Sequence, residues 1–178
     1  MDFVVGYDLS KFKKYYRTLE DLGAFYKKHG LAETERIELQ DCERLHVERN
    51  PAHLIVWTEQ GEIVGHAIWH ETSTDEMTQE DPREEDDRQI LRHLCGGKRE
   101  NLVELHEVWL RTEHRGRGFG RQFFAFFEDL VRQAGYDGIV YYNDNPAAIS
   151  LCRHRGWREG FLERSGWHVF VNEFRKRR

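Results

Sequence analysis

The chain has 178 residues, three cysteines and a formal net charge of −5, with hydrophobic and charged fractions of 39% and 33% that are ordinary for a folded protein. That length is most simply one domain, 1–178, with a real core, and the acidic balance gives no global reason to expect a nucleic-acid partner. No apolar run approaches the ~20 residues of a membrane span, Met1–Ser10 lacks the order of a signal peptide, and Cys42, Cys95 and Cys152 fit reduced thiols in a cytoplasmic protein better than a disulfide framework.

In chain order, Phe3–Tyr7 reads as a first strand. Ser10–Lys28 reads as a helix capped by Ser10, with Phe12, Tyr15, Tyr16, Leu19, Leu22, Phe25 and Tyr26 on its apolar face. Glu33–Cys42 is a weaker helix or irregular. Leu54–Thr58 and Ile63–Glu71 are strands joined at Glu59-Gln60-Gly61-Glu62. Asp75–Asp87 carries eight acids and reads first as a solvated loop. Asp86–Leu94 is a short helix closed by Gly96-Gly97, and Leu102–Leu110 a long central strand. A helix beginning near Gly118 places Phe119, Phe123, Phe127, Leu130, Val131 and Ala134 on one face and stops at Gly135. Gly138–Tyr142 is a short buried strand. Pro146–His154 is a helix with Asn145 as its cap. Trp157–Glu163 and Trp167–Arg175 close the chain as a hairpin, whose aromatics Trp157, Phe161, Trp167 and Phe170 suit a core and also leave a homodimer open. The basic end Arg175–Arg178 reads as a solvated tail.

The sequence Arg115-Gly116-Arg117-Gly118-Phe119-Gly120 therefore lies between a strand and a helix N-terminus. Backbone N–H groups there have no intrahelical partners, and with the helix dipole they suit a phosphate. Gly116, Gly118 and Gly120 let a bulky anion approach the backbone, and Arg115, Arg117 and Arg121 surround it with positive charge. The P-loop ending Gly-Lys-Ser/Thr is absent. The dinucleotide fingerprint belongs near a first strand with an acid about 20 residues on, which does not match this place or pattern. A charged glycine turn is the plain alternative; a cofactor carrying a pyrophosphate is the chemical one.

Arg115-x-x-Gly118-x-Gly120 resembles the Gln/Arg-x-x-Gly-x-Gly/Ala signature of the GNAT superfamily of N-acetyltransferases. Asn145-Pro146-Ala147-Ala148-Ile149-Ser150-Leu151-Cys152 through Gly156-Trp157 is similar to that family's Asn-x-x-Ala-x-x-Leu-Tyr-x-x-x-Gly-Phe segment. The resemblance covers about Ile63 to Phe174. It implies a mixed α/β GNAT-like acyltransferase fold, with a central, mostly antiparallel, twisted sheet and helices on both faces. It also implies acetyl-CoA as cofactor and an amine acceptor, small molecule or peptide, that attacks the thioester directly. The cofactor would lie on Val108, Trp109 and Leu110, on Arg115 through Arg121 and near Asn145. The resemblance further implies that the central strand splays from Gly138–Tyr142 to free its edge.

Amine acetylation needs a base, a polarised carbonyl and a thiolate that can leave. Glu104 and His106 share a face of their strand and, counted back from Arg115, fall where the family often places its base. Glu107 points the other way unless a bulge turns it, and stays a candidate. Cys152 stands where the family has a Tyr that protonates the leaving thiolate; Tyr141 and Tyr142 are substitutes, or no protein acid is used. His66 and His70 raise a metal question, but without a recognised ligand spacing no metal is expected; with Trp69 they line an acceptor pocket or pack. The acids of Asp75–Asp87 would draw a cationic amine. The other reading is a non-catalytic acyl-CoA-binding or regulatory module, which Cys152 favours.

Overall fold

The computed structural model describes residues 1–20, 22, 24, 47, 49–73, 85–96 and 101–174. These build a mixed α/β fold of seven strands that pair mostly antiparallel. The chain divides into two compact units, Met1–His70 with Glu107–Phe119, and Glu71–His106 with Gly120–Arg178. Glu33–Cys42, most of Asp75–Asp87, Gly97 and the tail 175–178 lie outside the described residues.

The first unit holds β1 (Asp2–Val5), α1 (Leu9–Tyr16), β2 (Leu54–Glu59), nearly all of β3 (Glu62–Thr72) and residues 107–110 of β4 (Leu102–Leu110). β1 runs antiparallel to β2 from Asp2↔Thr58 to Val5↔Ile55, and β2 to β3 from Leu54↔Ile68 to Glu59↔Glu62. Gln60 (φ 54°) and Gly61 (φ 84°) both turn left-handed, the requirement of a two-residue hairpin turn that follows the twist of its strands. α1 is capped by Asp8, not Ser10: the Asp8 carboxylate accepts from the Lys11 N–H at 3.0 Å. Both residue types cap helices, and moving the start leaves Phe12, Tyr15 and Tyr16 on the buried face. α1 breaks at Arg17–Leu19; Glu20, Leu22 and Ala24 are helical again, and 21, 23 and 25–28, with Phe25 and Tyr26, lie outside the described residues. Thr18 Oγ1 donates to the Tyr15 carbonyl at 2.7 Å, a local bond that competes with the helix ladder. Phe12, Tyr15 and Tyr16 pack with Leu54, Val56 and Ile68 into one core cluster.

The second unit holds α2 (Glu85–Leu94), the start of β4, α3 (Phe119–Gln133, all but its first residue), β5 (Gly138–Asn143), α4 (Pro146–His154), β6 (Arg158–Leu162) and β7 (Trp167–Glu173). Strand order here is β4-β5-β7-β6. β4 pairs with β5 in parallel from Leu102↔Gly138 to Leu105↔Tyr141, and the register stops there although both strands continue. At the end of α3, Gly135 (φ 87°) lets the Tyr136 N–H reach the Val131 carbonyl at 3.3 Å and its own N–H reach that of Arg132 at 3.2 Å. This glycine-closed C-terminus satisfies carbonyls the helix leaves orphaned. Leu91, Leu94, Leu102, Val140, Leu162, Val169 and Val171 form one core cluster. Of the four hairpin aromatics, Trp157 and Phe170 are buried and only Phe161, 48% exposed, faces outward. Trp157 is fixed at its polar end, where Nε1 donates to Glu128 at 2.9 Å, a carboxylate also gripped by Arg155.

Candidate cofactor loop and catalytic strand

From the end of β4 the chain passes through a short 3-10 turn, Thr112–His114, to the glycine loop. Gly116 (φ 74°) and Gly118 (φ 83°) are left-handed, and a Cβ added at either would meet nothing within 4 Å. Backbone conformation therefore demands these two glycines, and the space beside them is open. Gly120, inside α3, has no such conformation; its added Cβ would make an ordinary 3.6 Å contact with Leu151.

The loop arginines behave differently from one another. Arg115 turns back, donating from Nε to the Leu110 carbonyl at 2.9 Å with its guanidinium 5.2 Å from the Trp109 ring centre. Arg117 reaches the end of β2 and grips Glu59 with two nitrogens, at 3.0 and 3.1 Å, while lying 4.7 Å from the Phe119 ring centre. The Arg117 hydrogen bond holds the Glu59 carboxyl below the usual carboxylate range. Arg121 is exposed on α3.

Along β4, Glu104 and His106 share a face, with Glu104 Oε1 3.4 Å from His106 Nδ1. Glu104 is half-buried and His106 exposed. Val108, Trp109 and Leu110 are half-buried. Leu105 and Glu107 are buried, so Glu107 turns to the opposite side. There its carboxylate is hydrogen-bonded to Nε2 of the wholly buried His66. The Tyr15 hydroxyl lies 3.3 Å from His66 Nδ1, and the rings of Phe12, Tyr15 and Tyr16 stand edge-on around the imidazole, 5.1 to 5.7 Å away. Burial pushes the Tyr15 phenol up, so it keeps its proton. With the imidazole proton on Nε2, Tyr15 O–H donates to Nδ1 and Nε2–H donates to Glu107. This arrangement gives both imidazole nitrogens a partner, which a buried polar group requires. Arg111 covers this chain of bonds: its guanidinium lies 5.1 Å from the Tyr15 ring centre and donates to Thr18 Oγ1 at 2.8 Å and to the Ile63 carbonyl at 3.3 Å.

By sequence, His66 suits either an acceptor pocket or packing. The structure packs it, with Glu107 and Tyr15 as partners. A buried acid in an apolar strand was the available signal, because it requires a partner of opposite or donating character.

In the second motif, Asn145 caps α4, its side-chain oxygen accepting from the N–H groups of Ala147 at 2.9 Å and Ala148 at 3.4 Å. Cys152 is fully buried, and burial pushes its thiol up to about 12. Tyr141 is buried as well, its phenol pushed up first by desolvation, and its hydroxyl accepts from Asn143 Nδ2.

The sequence model of the Acetyltransferase (GNAT) family matches residues 15–157. The chain belongs to this GNAT family. The match begins well before the expected Ile63 and ends at Trp157, so it takes in both motifs, part of α1 and all of β4. Among curated proteins, a Xenopus tropicalis protein named "Probable N-acetyltransferase 14" is 34% identical over 80 residues, 42% of this chain. The matched stretch spans 37% of that relative's length. Among solved structures, a GNAT acetyltransferase of Listeria monocytogenes is similar with a TM-score of 0.63 at 16% identity, over 97% of this chain and 95% of its own. The Drosophila melanogaster polyamine N-acetyltransferase, described as forming N-acetylagmatine, is similar with a TM-score of 0.59 at 15% identity, over 77% and 82%. At such identities these structures establish a GNAT fold.

Proposed function

We propose that this GNAT chain is an acetyl-CoA-dependent N-acetyltransferase acting on a primary amine. The observation that carries the reading is the loop itself: two left-handed glycines with open space beside them, opening a helix, with an arginine between them already gripping a carboxylate. A guanidinium that holds a carboxylate this way, beside an open glycine backbone at a helix start, suits a pyrophosphate. The N–H groups of residues 116–120 and the side chains of Arg115, Arg117 and Arg121 would hold it, with Val108–Leu110 as the strand edge for the pantetheine arm. When bound, the cofactor supplies the activated acetyl group.

Glu104 or His106 would then take the proton of the attacking amine. They are adjacent, and His106 is exposed enough to pass a proton to water. Glu107, paired with His66, positions β4. Cys152 holds its proton too tightly to serve the leaving thiolate, so departure proceeds without it. The acceptor reading is a small cationic amine or a peptide amine, supported by the acids of Asp75–Asp87 and by the polyamine enzyme among the structural relatives. A cytoplasmic location belongs to the same reading, supported by the buried free thiols Cys95 and Cys152. The raised Cys152 thiol also favours a second reading, an acyl-CoA-binding module without turnover.

Thermal unfolding with and without acetyl-CoA tests the proposal, because a native-state ligand at a hundredfold excess over Kd adds about 2.7 kcal/mol. An upward shift in the wild type, absent in folded Gly118→Asp, supports the cofactor loop. Acetyl-CoA consumption across a panel of amines separates enzyme from module. No shift at millimolar acetyl-CoA overturns both readings.

A further inference from the structure

We infer that Glu59 is a built-in competitor for the cofactor phosphates and sets how tightly the loop holds its anion. The inference rests on reading Arg115–Gly120 as the CoA pyrophosphate loop. Glu59 ends β2, and the tight Gln60-Gly61 turn fixes it opposite Glu62. Both of its carboxylate oxygens face Arg117: Nη1 donates to Oε2 at 3.1 Å and Nη2 to Oε1 at 3.0 Å. This two-pronged grip matches what a guanidinium gives a phosphate. A phosphate that recruits Arg117 must therefore displace Glu59 from the guanidinium.

The surroundings provide for the exchange. Arg117 sits between two left-handed glycines, a backbone with little steric resistance to reorientation. His114 Nδ1 lies 3.1 Å from Glu59 Oε2 and 3.3 Å from Arg117 Nη1. That single nitrogen can accept from Arg117 or donate to Glu59, not both at once. With Arg117 on Glu59 it accepts from the guanidinium; with Arg117 on a phosphate it donates to the carboxylate left behind. Glu59 thus keeps a partner in both states, so the two arrangements differ little in free energy and the phosphate decides between them.

The test is the Kd of CoA for the full chain, measured by calorimetry, for wild type, Glu59→Gln, Glu59→Asp, Arg117→Gln and Glu59→Gln/Arg117→Gln. Far-UV spectra check folding, and Glu59→Ser serves as a second uncharged variant. Competition predicts CoA binding about fivefold tighter in Glu59→Gln, the scale of one partly exposed ion pair. Glu59→Asp should stay near wild type, and Arg117→Gln should weaken binding. In the Arg117→Gln background the Glu59 change should have no further effect. Unchanged or weaker binding in Glu59→Gln overturns the inference, since Glu59 would then support the loop. Equal tightening with and without Arg117 also overturns it, because the effect would be charge alone. If wild type and every variant fail to bind CoA, the cofactor reading falls and takes this inference with it; CoA binding by wild type keeps the two failures apart.

Discussion

Burial argues against Cys152 as the acid for a leaving thiolate. A thiol pushed up to about 12 cannot readily give its proton to a departing thiolate of ordinary thiol pKa, about 8.5. Cys152→Ala should therefore change kcat by no more than about twofold, although it leaves a small cavity and lowers stability by about 1–2 kcal/mol. The same burial has a signed effect on stability. Cys152 keeps its proton in the folded chain and loses it more easily when unfolded, so its contribution is present below about 9 and is lost as pH rises toward about 12. The melting temperature of the wild type should thus fall more steeply across that alkaline window than that of Cys152→Ala. Parallel curves would show that Cys152 is not the buried titrating group. On the other side of the chemistry, Glu104→Gln and His106→Ala should each lower kcat and alter its pH profile; a normal profile in both would place the base elsewhere. His66→Ala removes the buried Nε2–H donor to the Glu107 carboxylate and should cost about 1–3 kcal/mol in urea unfolding. Glu107→Gln, which can still accept the Nε2 hydrogen bond, should cost clearly less.

At the scale of elements, the close approach of β3 and β4 is the feature that substitution tests most directly. A Cβ at Gly65 would stand 2.6 Å from the Trp109 carbonyl oxygen and 3.1 Å from the Trp57 ring. Backbone cannot give way as a flexible side chain does, so Gly65→Ala should destabilise by about 1–3 kcal/mol and move the strand that precedes the glycine loop. Weakened acetyl-CoA binding should accompany the loss of stability; a stable variant with normal binding would mean that β4 yields without consequence. Elements bounded by local chemistry were legible in the sequence. β4 runs Leu102–Leu110 and α4 Pro146–His154, as their apolar runs and the Asn145-Pro146 start indicate. α1 was less legible, because Asp8 and Ser10 are equivalent caps by type and because a back-bonded Thr18 leaves no mark on apolar periodicity. The Glu104–His106 pair follows from the two-residue period of a strand. His66–Glu107 joins residues 41 apart in sequence, and which face of each strand meets α1 is decided by tertiary packing. For the same reason Glu59 carried no signal: its meaning comes from a hairpin end meeting the loop after β4.

Across the whole molecule, a net charge of −5 acts oppositely on the two substrates the proposal requires. CoA is a polyanion that must be held by a few local arginines against the global field. A protonated amine is drawn in by that field before any specific contact forms. Eight acids within Asp75–Asp87 concentrate the charge. Salt screens such attraction beyond a Debye length of about 10 Å at 0.1 M, so kcat/KM for a diamine should fall with ionic strength about twice as steeply, on a logarithmic scale, as for a monoamine of equal length. Replacing the acids of this segment with their amides should remove most of that difference and leave the Kd of acetyl-CoA unchanged or slightly tighter. Equal salt slopes for the two amines in the wild type would show that long-range charge plays no part in choosing the acceptor. A diamine preference that survives in the amide variant would move its origin from this segment to contacts within the acceptor site.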